Sequence, residues 1–354
     1  MLNKLCENLI LQLQNNKYDF LKFDLIKQEQ IKEMAASIAN IYESIIIIGF
    51  GASSLNIRAL LSACIRRSKQ IVYLDSLDQV ELNDKLSSIN LNKSVFFSLS
   101  KSGNTNETYL LTKYALESLP VSPRNMYIIA PFTDNLLNNL AQSFKTHFFE
   151  HDNICSGRFG IISNASLLPV AVAGLNISKV VAAATKKILE IISDSTVIYQ
   201  IAEYYLQQYS LGRSILVMFN YSYQLDGLCK WQQQIIAETL GKNGFGITPV
   251  IARGTFDQHS QLQLYLEGPD DKFYKIITNN QGDSEIATSL ATHANNIYHA
   301  LIQAKRPATL INFEPNETII VEQIIDTMLS IIVIAEHLKI NPFNQPAVDQ
   351  CKYI

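Results

Sequence analysis

The sequence predicts an α/β protein with two tandem doubly wound parallel sheets, each covered by helices on both faces. Short apolar runs alternate with longer helix-like segments from residue 45 to residue 150, and the alternation resumes at residue 214. The first run, residues 45–48, consists of four isoleucines. Unbroken β-branched runs of this kind are typical of strands buried on both faces, and long strand–helix alternation favours parallel sheets.

The first half of the chain is predicted to hold a helical segment and one complete sheet domain. Residues 1–40 contain loosely periodic apolar positions and are predicted to be helical, and the sheet domain is placed at residues 41–175. We expect an apolar helix at 164–175, kinked at Pro169 because proline breaks the helical hydrogen-bond ladder. The predicted strands are 45–48, 70–74, 94–99, 126–130 and 146–150, with helices at 55–66, 79–89, 106–119 and 134–142.

The second half is predicted to hold a helical bridge, a second sheet domain and a tail. The bridge is placed at residues 176–212, the second domain at 213–340 and a helical tail at 341–354. Asn316 is a suitable N-cap for the last long helix, because its side chain can accept hydrogen bonds from exposed backbone N–H groups. The predicted strands are 214–219, 248–252, 273–278 and 309–313, and the main helices are 223–240 and 285–304.

Composition narrows the classes of function. The chain has 354 residues, 47% hydrophobic and 17% charged, which indicates a globular protein long enough for two domains. Its formal net charge is −3 and no lysine or arginine stripe is present, so nucleic acid is not an expected partner. The five cysteines are scattered and the histidines lack metal-ligand spacing, which predicts neither disulfides nor a metal site. We expect a cytoplasmic protein without a membrane span, because acidic residues interrupt the most apolar stretch, 319–340.

Two strand-to-helix turns in the first domain have the composition of an anion site. Residues 100–105 read Ser-Lys-Ser-Gly-Asn-Thr, which places three hydroxyls, a lysine and a glycine before a predicted helix. Backbone N–H groups and the helix dipole favour a phosphate at such a helix start. The turn at residues 49–53, which ends in Ser53, follows another strand, and both turns are expected at the carboxyl edge of the sheet, where ligands bind.

A dinucleotide site is a weaker interpretation of the same region. Gly49 and Gly51 follow a strand, and Asp75 ends the next strand, which partly matches the NAD fingerprint. The third glycine of that fingerprint would fall on Ser54. The hydroxyl-rich second turn also suits a monophosphate better than a pyrophosphate, so an NAD-dependent oxidoreductase is ranked below a sugar-phosphate protein.

A carboxylate and an imidazole in the second domain could carry out proton transfer. Glu238 lies near the end of the predicted helix 223–240, with Gln234 one turn earlier on the same face. His259 follows the next strand, on a short helix expected to open at residue 256. A positioned glutamate and histidine are the residue types used in general acid–base catalysis. Asp257 and Gln258 beside the histidine could equally serve only as helix caps.

Six segments, in order along the chain, resemble motifs of the phosphoglucose isomerase family. GFGASSLN at residues 49–56 is similar to the family's GIGGSxLG loop, and SKSGNTNET at 100–108 is similar to its SKSGTTxET phosphate loop. Residues 157–159, followed by a Leu-Leu-Pro run, resemble its GGRFS segment. Residues 234–242 and 257–260 match Gln-x-x-x-Glu-[Ser/Thr]-x-Gly-Lys and Asp-Gln-His-Ser, and 342–352 resemble PFDQPGVExxK. The chain is identified as a short bacterial-type member with two sugar isomerase domains.

The resemblance implies an aldose–ketose isomerase that interconverts glucose 6-phosphate and fructose 6-phosphate through a cis-enediol, without metal or organic cofactor. Glu238 would move the proton between C1 and C2, and His259 and Lys352 would assist ring opening and the oxygens. Arg158 would stabilise the enediolate. The histidine comes from the neighbouring subunit in the family, so a homodimer is implied. The substrate-binding positions would be Ser53, Ser100, Lys101, Ser102, Thr105 and Gln234.

Several residues depart from the family pattern, and two related functions stay open. Ala52 and Asn56 stand where glycines are usual in the first loop, Ser156 replaces the first glycine of GGRF, and Cys351 sits beside Lys352. A bifunctional enzyme that also accepts mannose 6-phosphate is one alternative. A non-catalytic sugar-phosphate-binding protein of the same fold is the other.

Overall fold

The computed structural model describes residues 1–64, 69–279 and 281–351, with side chains described up to residue 348 in the tail. Lys352, one of the predicted catalytic residues, therefore lies outside the described residues. Contacts divide the chain into two compact units. The first unit is Tyr18–Val181, and the second unit is Met1–Lys17 together with the chain from Ala182 onward.

The first unit is built on a five-stranded sheet in which every neighbouring pair is parallel. The strand order is β2-β1-β3-β4-β5, and every residue of β1 and β3 is buried, as expected for a sheet covered on both faces. The five predicted strands are confirmed within a residue at each end. They are β1 (Ser44–Ile48), β2 (Gln70–Leu74), β3 (Ser94–Leu99), β4 (Met126–Ala130) and β5 (His147–Glu150).

Helices of the first unit follow the predicted order, but most are shorter than predicted and α6 is shifted by two residues. The helix expected at 55–66 begins at Ala52, ends at Leu60 and continues as a 3-10 turn to Ala63, while residue 66 lies outside the described residues. Pro169 lies inside its helix, which ends at Val172 rather than at 175. The helices are α2 (Leu25–Ala39), α3 (Ala52–Leu60), α4 (Gln79–Ser87), α5 (Asn106–Ser118), α6 (Leu136–Phe144) and α7 (Asn164–Val172).

The N-terminal segment expected at residues 1–40 forms two helices, α1 (Leu2–Gln14) and α2, which belong to different units. In the first unit, α2 packs on α7 and begins at Asp24, whose side chain accepts hydrogen bonds from two backbone N–H groups. In the second unit, α1 packs against the last long helix of the chain. The apolar side of α1 and that of α2 are thus buried against different helices. The local sequence does not specify which helix each of them packs against.

The second unit contains a four-stranded parallel sheet in the order β7-β6-β8-β9. The predicted strands are again confirmed within about a residue. The strands are β6 (Ile215–Asn220), β7 (Thr248–Arg253), β8 (Lys272–Thr278) and β9 (Ala308–Asn312). The division between the units falls within α8 (Ile177–Ser193). The further helices are α9 (Thr196–Ser210), α10 (Asp226–Leu240), α11 (Leu262–Glu267), α12 (Glu285–Gln303), α13 (Glu317–His337) and α14 (Pro346–Cys351).

Helix α13 is the central helix of the second unit. Asn316 caps it as predicted, because its side chain accepts hydrogen bonds from the N–H groups of Thr318 and Ile319. By length and composition alone the helix could cross a membrane, but 72% of its most apolar window is buried inside the fold. It packs against α1, α9 and α10, which accounts for its apolar surface as helix-packing surface. The cytoplasmic location stays a prediction.

Candidate functional site

The two hydroxyl-bearing turns of the first unit lie at the switch point of its sheet. Strands β1 and β3 are parallel neighbours, with Ile48 in register with Ser98, so the turns that follow them leave the same edge side by side. The chain proceeds outward from β1 to β2 on one side and from β3 to β4 on the other. In open α/β sheets ligands bind in the crevice at such a reversal.

The turn at residues 100–105 gathers its hydroxyls at the start of α5. The Ser100 hydroxyl is buried, lies 2.9 Å from the Thr105 hydroxyl and accepts a hydrogen bond from the Gly103 N–H at 3.1 Å. The Ser102 hydroxyl accepts from the Asn104 N–H and is exposed. Thr105 is the N-cap residue, yet its side chain makes no capping hydrogen bond. The first-turn N–H groups of α5 are therefore not capped by that hydroxyl and can face an anion.

Gly103 cannot be replaced without moving this turn. Its φ is +69°, a left-handed conformation that glycine tolerates far better than other residues. A Cβ atom at this position would lie 2.1 Å from Oδ1 of Asn135, which caps α6. The Gly103 carbonyl also accepts the Leu137 N–H at 3.0 Å. Gly103 thus fixes the turn against the start of α6, and the hydroxyl groups of the turn stay available to a ligand.

Gly49 allows the turn at residues 49–53 to lie close to the end of β3, where the turn at residues 100–105 begins. A Cβ atom on Gly49 would lie 2.9 Å from the Cβ of Ser53 and 3.4 Å from the carbonyl oxygen of Leu99. Gly51 precedes α3 with a φ of +56°, again a conformation that favours glycine. Ser53, half-buried in the first turn of α3, is thereby placed next to the carboxyl end of β3.

Arg158 lies in a 3-10 turn, Gly157–Phe159, and is only 1% exposed. The Asn56 side chain donates a hydrogen bond to the Gly157 carbonyl at 3.1 Å, and Gly157 lies beside Ala52. Ala52 and Asn56 are two of the departures from the family's loop pattern, and both are contacts that position this turn. The sequence alone did not predict this role. Ala52 and Asn56 both lie next to Gly157, but that proximity can be seen only in the folded structure.

Lys101 joins the phosphate-type turn to the same region. Its ammonium donates a hydrogen bond to the Cys155 carbonyl at 3.0 Å, three residues before Arg158. In the described structure this lysine therefore serves as a tether, because it links the turn at residues 100–105 to the segment before Arg158. The predicted contact with phosphate would use the remaining N–H donors of the same ammonium group. Although Cys155 is exposed as a residue, local desolvation of its thiol and the nearby Asp19 carboxylate raise the pKa of the thiol to about 12, so this cysteine is not a ready nucleophile.

In the second unit, Glu238 faces an open cleft. Gln234 donates a hydrogen bond from its amide nitrogen to Glu238 at 3.0 Å, which confirms that the two share one face of α10. The Gln234 carbonyl oxygen is buried and has no hydrogen-bond partner in the described part of the chain. The cleft has a volume of about 620 Å³, and Glu238 and Lys242 line it together with the tail residues 345–348. Its size suits a small polar ligand.

His259 is exposed in the turn after the 3-10 segment Phe256–Gln258 and before α11, rather than on a helix as expected. The Asp257 carboxylate accepts hydrogen bonds from the Arg253 N–H, the Ser260 hydroxyl and the Gln261 amide. Burial acts to raise the pKa of Asp257, but these donors outweigh it and the pKa lies below its usual range. Asp257 thus holds the turn that presents the histidine, which favours the structural role for this aspartate.

The structure distributes the predicted site residues over the two units. The first unit contains Ser53, Ser100, Lys101, Ser102, Thr105 and Arg158, and the second contains Gln234, Glu238 and His259. The acidic residue of the NAD-type interpretation, Asp75, forms ion pairs with Arg58 at 2.7 Å and Lys85 at 3.3 Å. An aspartate paired in this way is a poor ribose ligand, which weakens the dinucleotide interpretation.

Several known proteins are similar to this chain in sequence. No protein-family model matches the chain. The probable glucose-6-phosphate isomerase of Methanococcus maripaludis is 31% identical over 278 residues, which cover 74% of this chain and 62% of that protein. The glucose-6-phosphate isomerase of Methanocaldococcus jannaschii is 28% identical over 98% of this chain and 91% of its own length.

A solved structure supports the fold over nearly the whole chain. The crystal structure of a glucose-6-phosphate isomerase from Chlamydia trachomatis matches with a TM-score of 0.83, at 17% identity, over 99% of this chain and 84% of that one. The matched region of the first relative thus falls below two thirds of its length, whereas the second relative and this structure are matched over most of theirs. The chain thus has two parallel-sheet domains and is similar over most of its length to proteins named glucose-6-phosphate isomerase.

Proposed function

We propose that the chain interconverts glucose 6-phosphate and fructose 6-phosphate, as an aldose–ketose isomerase that needs neither metal nor organic cofactor. The observation that carries this proposal is the hydroxyl cluster of Ser100, Ser102 and Thr105 at the uncapped start of α5. Such a cluster suits a phosphate dianion, and it occurs in a chain whose relatives are named glucose-6-phosphate isomerases.

In this proposal the first unit binds the phosphate and stabilises developing negative charge. Hydroxyls donate to the phosphate oxygens, and the N–H groups of the first turn of α5 add the field of the helix dipole. Ser53 would complete this set from the neighbouring turn. Arg158 carries a permanent charge on a planar group, which suits it to stabilise an enediolate oxygen.

Glu238 would perform the proton transfer. Its carboxylate takes the proton from C2 of the open-chain aldose, which leaves a cis-enediolate, and returns it to C1, which gives the ketose. Gln234 holds the carboxylate in place through its amide nitrogen, and its carbonyl oxygen can accept a sugar hydroxyl. His259 and Lys352 would assist ring opening and proton exchange at the oxygens.

Thr105→Val should raise KM for glucose 6-phosphate by roughly 10- to 100-fold, because a hydrogen bond to a charged group contributes about 1.5–3 kcal/mol. The value of kcat should change little, since the phosphate is bound equally in ground and transition states. Steady-state kinetics checks both values. Thr112→Val is the matched control, because it removes a hydroxyl that also bonds a serine, Ser98, but in the core. An unchanged KM in Thr105→Val would remove this residue from the phosphate site.

Asn56→Ala should lower kcat by roughly two- to tenfold, because it removes about 0.5–1.5 kcal/mol of hydrogen bonding that positions the Arg158 turn. The orphaned Asn56 carbonyl oxygen disappears with it, so the free energy of unfolding should fall only slightly. The informative measurement is the double variant with Arg158→Lys. If Asn56 acts through Arg158, the two effects on kcat are not additive, whereas additive effects would indicate an unrelated loss of stability.

We include a homodimer in the proposal, with His259 acting on the substrate of the partner subunit. The support is the exposure of His259 and the well-anchored turn that presents it. If the residues act in trans, mixing His259→Ala with Glu238→Gln subunits should restore one of the two sites in each mixed dimer, about a quarter of all sites after random 1:1 mixing; if they act in cis, no site is restored. If sedimentation velocity shows that the protein is a monomer at the concentration of the assay, this part of the proposal is wrong.

A coupled assay with purified protein tests the activity itself. Glucose 6-phosphate should be converted by the wild type, and mannose 6-phosphate is assayed in parallel. Turnover of both sugars would indicate the bifunctional enzyme. Binding of fructose 6-phosphate without turnover of either would indicate a non-catalytic sugar-phosphate-binding protein and would refute the proposed reaction.

A further inference from the structure

A second cavity lies within the second unit, apart from the cleft of Glu238. It has a volume of about 380 Å³ and lies between one face of β8 and β9 and the helices α9 and α13. Such a volume is at the lower end of the range for small-molecule sites, about 300–1,000 Å³. Aromatic rings form one wall, contributed by Tyr204, Tyr205 and Phe273.

Buried polar atoms without partners converge on this cavity. The Tyr204 hydroxyl, one carboxylate oxygen of Asp326 and the Ser330 hydroxyl are buried and have no hydrogen-bond partner in the part of the chain that the structure describes. Asp326 is 7% exposed and Ser330 is fully buried. The two residues are four apart on α13, so they lie on one helix face. Unsatisfied buried polar groups are costly and uncommon in native proteins, and three around one cavity provide donors and acceptors that a bound small molecule can satisfy.

One positive group in the cavity, Lys275, can bind an anion. Lys275 of β8 lines it, and the hydrogen bond that the structure gives its ammonium is to the Gln232 side chain at 3.3 Å. Asp326 is paired through its other oxygen with Lys187 at 3.1 Å. Lys187 does not line the cavity, and Glu190 and Glu322 also lie near Asp326, so Lys275 is the positive group that an anion inside the cavity can reach. Burial lowers the pKa of Lys275, which a bound anion would oppose.

We propose that this cavity binds a small carboxylic acid with an apolar body. The carboxylate would pair with Lys275 and accept hydrogen bonds from the Tyr204 and Ser330 hydroxyls, while the body would pack on the aromatic wall. A polar substituent that donates a hydrogen bond, such as a hydroxyl, could satisfy Asp326. A phosphate dianion fits less well, because it would place two negative charges beside Asp326 and exceed the single positive charge available. This proposal does not depend on the proposed isomerase reaction.

The test uses 3-phenylpropanoate as the probe and measures its binding to the whole protein by calorimetry. The neutral isostere 3-phenylpropanamide is the matched ligand control. We expect the acid to bind at least tenfold more tightly than the amide, and Lys275→Met to abolish that difference. Lys272→Met is the matched protein control, because Lys272 is a buried lysine of the same strand that is not among the residues lining the cavity. It should leave the affinity unchanged.

Ser330→Ala provides a second variant that should fold in any case. It should weaken binding of the acid several-fold while it raises Tm in the absence of the acid, since an orphaned buried hydroxyl is removed. A residue that lowers stability but improves binding is expected of a ligand site and not of a structural one. Equal affinity for acid and amide, binding that persists in Lys275→Met, or no binding at millimolar acid would each overturn the proposal and leave the cavity as a water-filled one.

Discussion

Replacing Glu238 with glutamine should reduce kcat by roughly 10²- to 10⁴-fold, the usual contribution of a general base. Glutamine keeps the size of the side chain and can still bond Gln234, which donates to Glu238 at 3.0 Å. It cannot, however, take a proton from carbon. Phosphate binding should survive, because that part of the site is built on the turn at residues 100–105. Steady-state kinetics, with thermal unfolding alongside, checks both expectations.

The chain offers a matched control for this substitution. Gln263 and Glu267 form the same pair one helical turn apart, at 2.7 Å, on the surface of α11. Glu267→Gln removes the same charge from a similar hydrogen bond and should leave kcat unchanged. If Glu238→Gln is as active as Glu267→Gln, Glu238 is not the base and the proposed mechanism is wrong.

Replacing Arg158 with lysine should reduce kcat by roughly 10²- to 10³-fold, the range measured when one donor to a developing oxyanion is removed. Lysine preserves the charge but not the planar fork of donors, so it tests geometry rather than electrostatics. Because Arg158 is 1% exposed, the shorter reach of lysine should also leave the enediolate oxygen less well solvated. KM should change less than kcat, since the contact forms mainly in the transition state.

Arg58→Lys is the control for this second substitution. Arg58 belongs to the same unit, pairs with Asp75 and lies with its guanidinium 3.6 Å from the centre of the Tyr73 ring. Its replacement should lower Tm through lost stacking without a matching loss of kcat. A kcat for Arg158→Lys that falls no further than that of Arg58→Lys would mean that Arg158 is structural.

The α/β architecture could be predicted because its signals are local. The isoleucine run of β1 and the alternation after it specify buried parallel strands, and the nine strands found in the described residues match nine predicted ones. Helix ends were less accurate where tertiary contacts decide them. The helix after the first turn stops at Leu60, and His259 lies in a turn because Asp257 binds the Arg253 N–H and closes the chain there.

The positions of the candidate residues along the chain were also available from the sequence, because turns rich in glycine and hydroxyls carry their chemistry in their composition. The hydrogen bonds that hold these residues in position could not be predicted from the sequence. The bond from Asn56 to the Gly157 carbonyl and the bond from Lys101 to the Cys155 carbonyl join segments about 100 and 54 residues apart. No local pattern reports such pairs, since each depends on which loops the sheet order places side by side.

The two-sheet fold, the family motifs and the positions of the candidate residues can be predicted from the sequence, because each of these depends on short-range patterning. The folded structure was needed to assign α1 and α2 to different units, to identify the hydrogen bond that makes Lys101 a tether, and to place Lys275 and Ser330 at one cavity. The physical reason is that burial and hydrogen-bond satisfaction are properties of packing, and packing brings together residues that are distant along the chain.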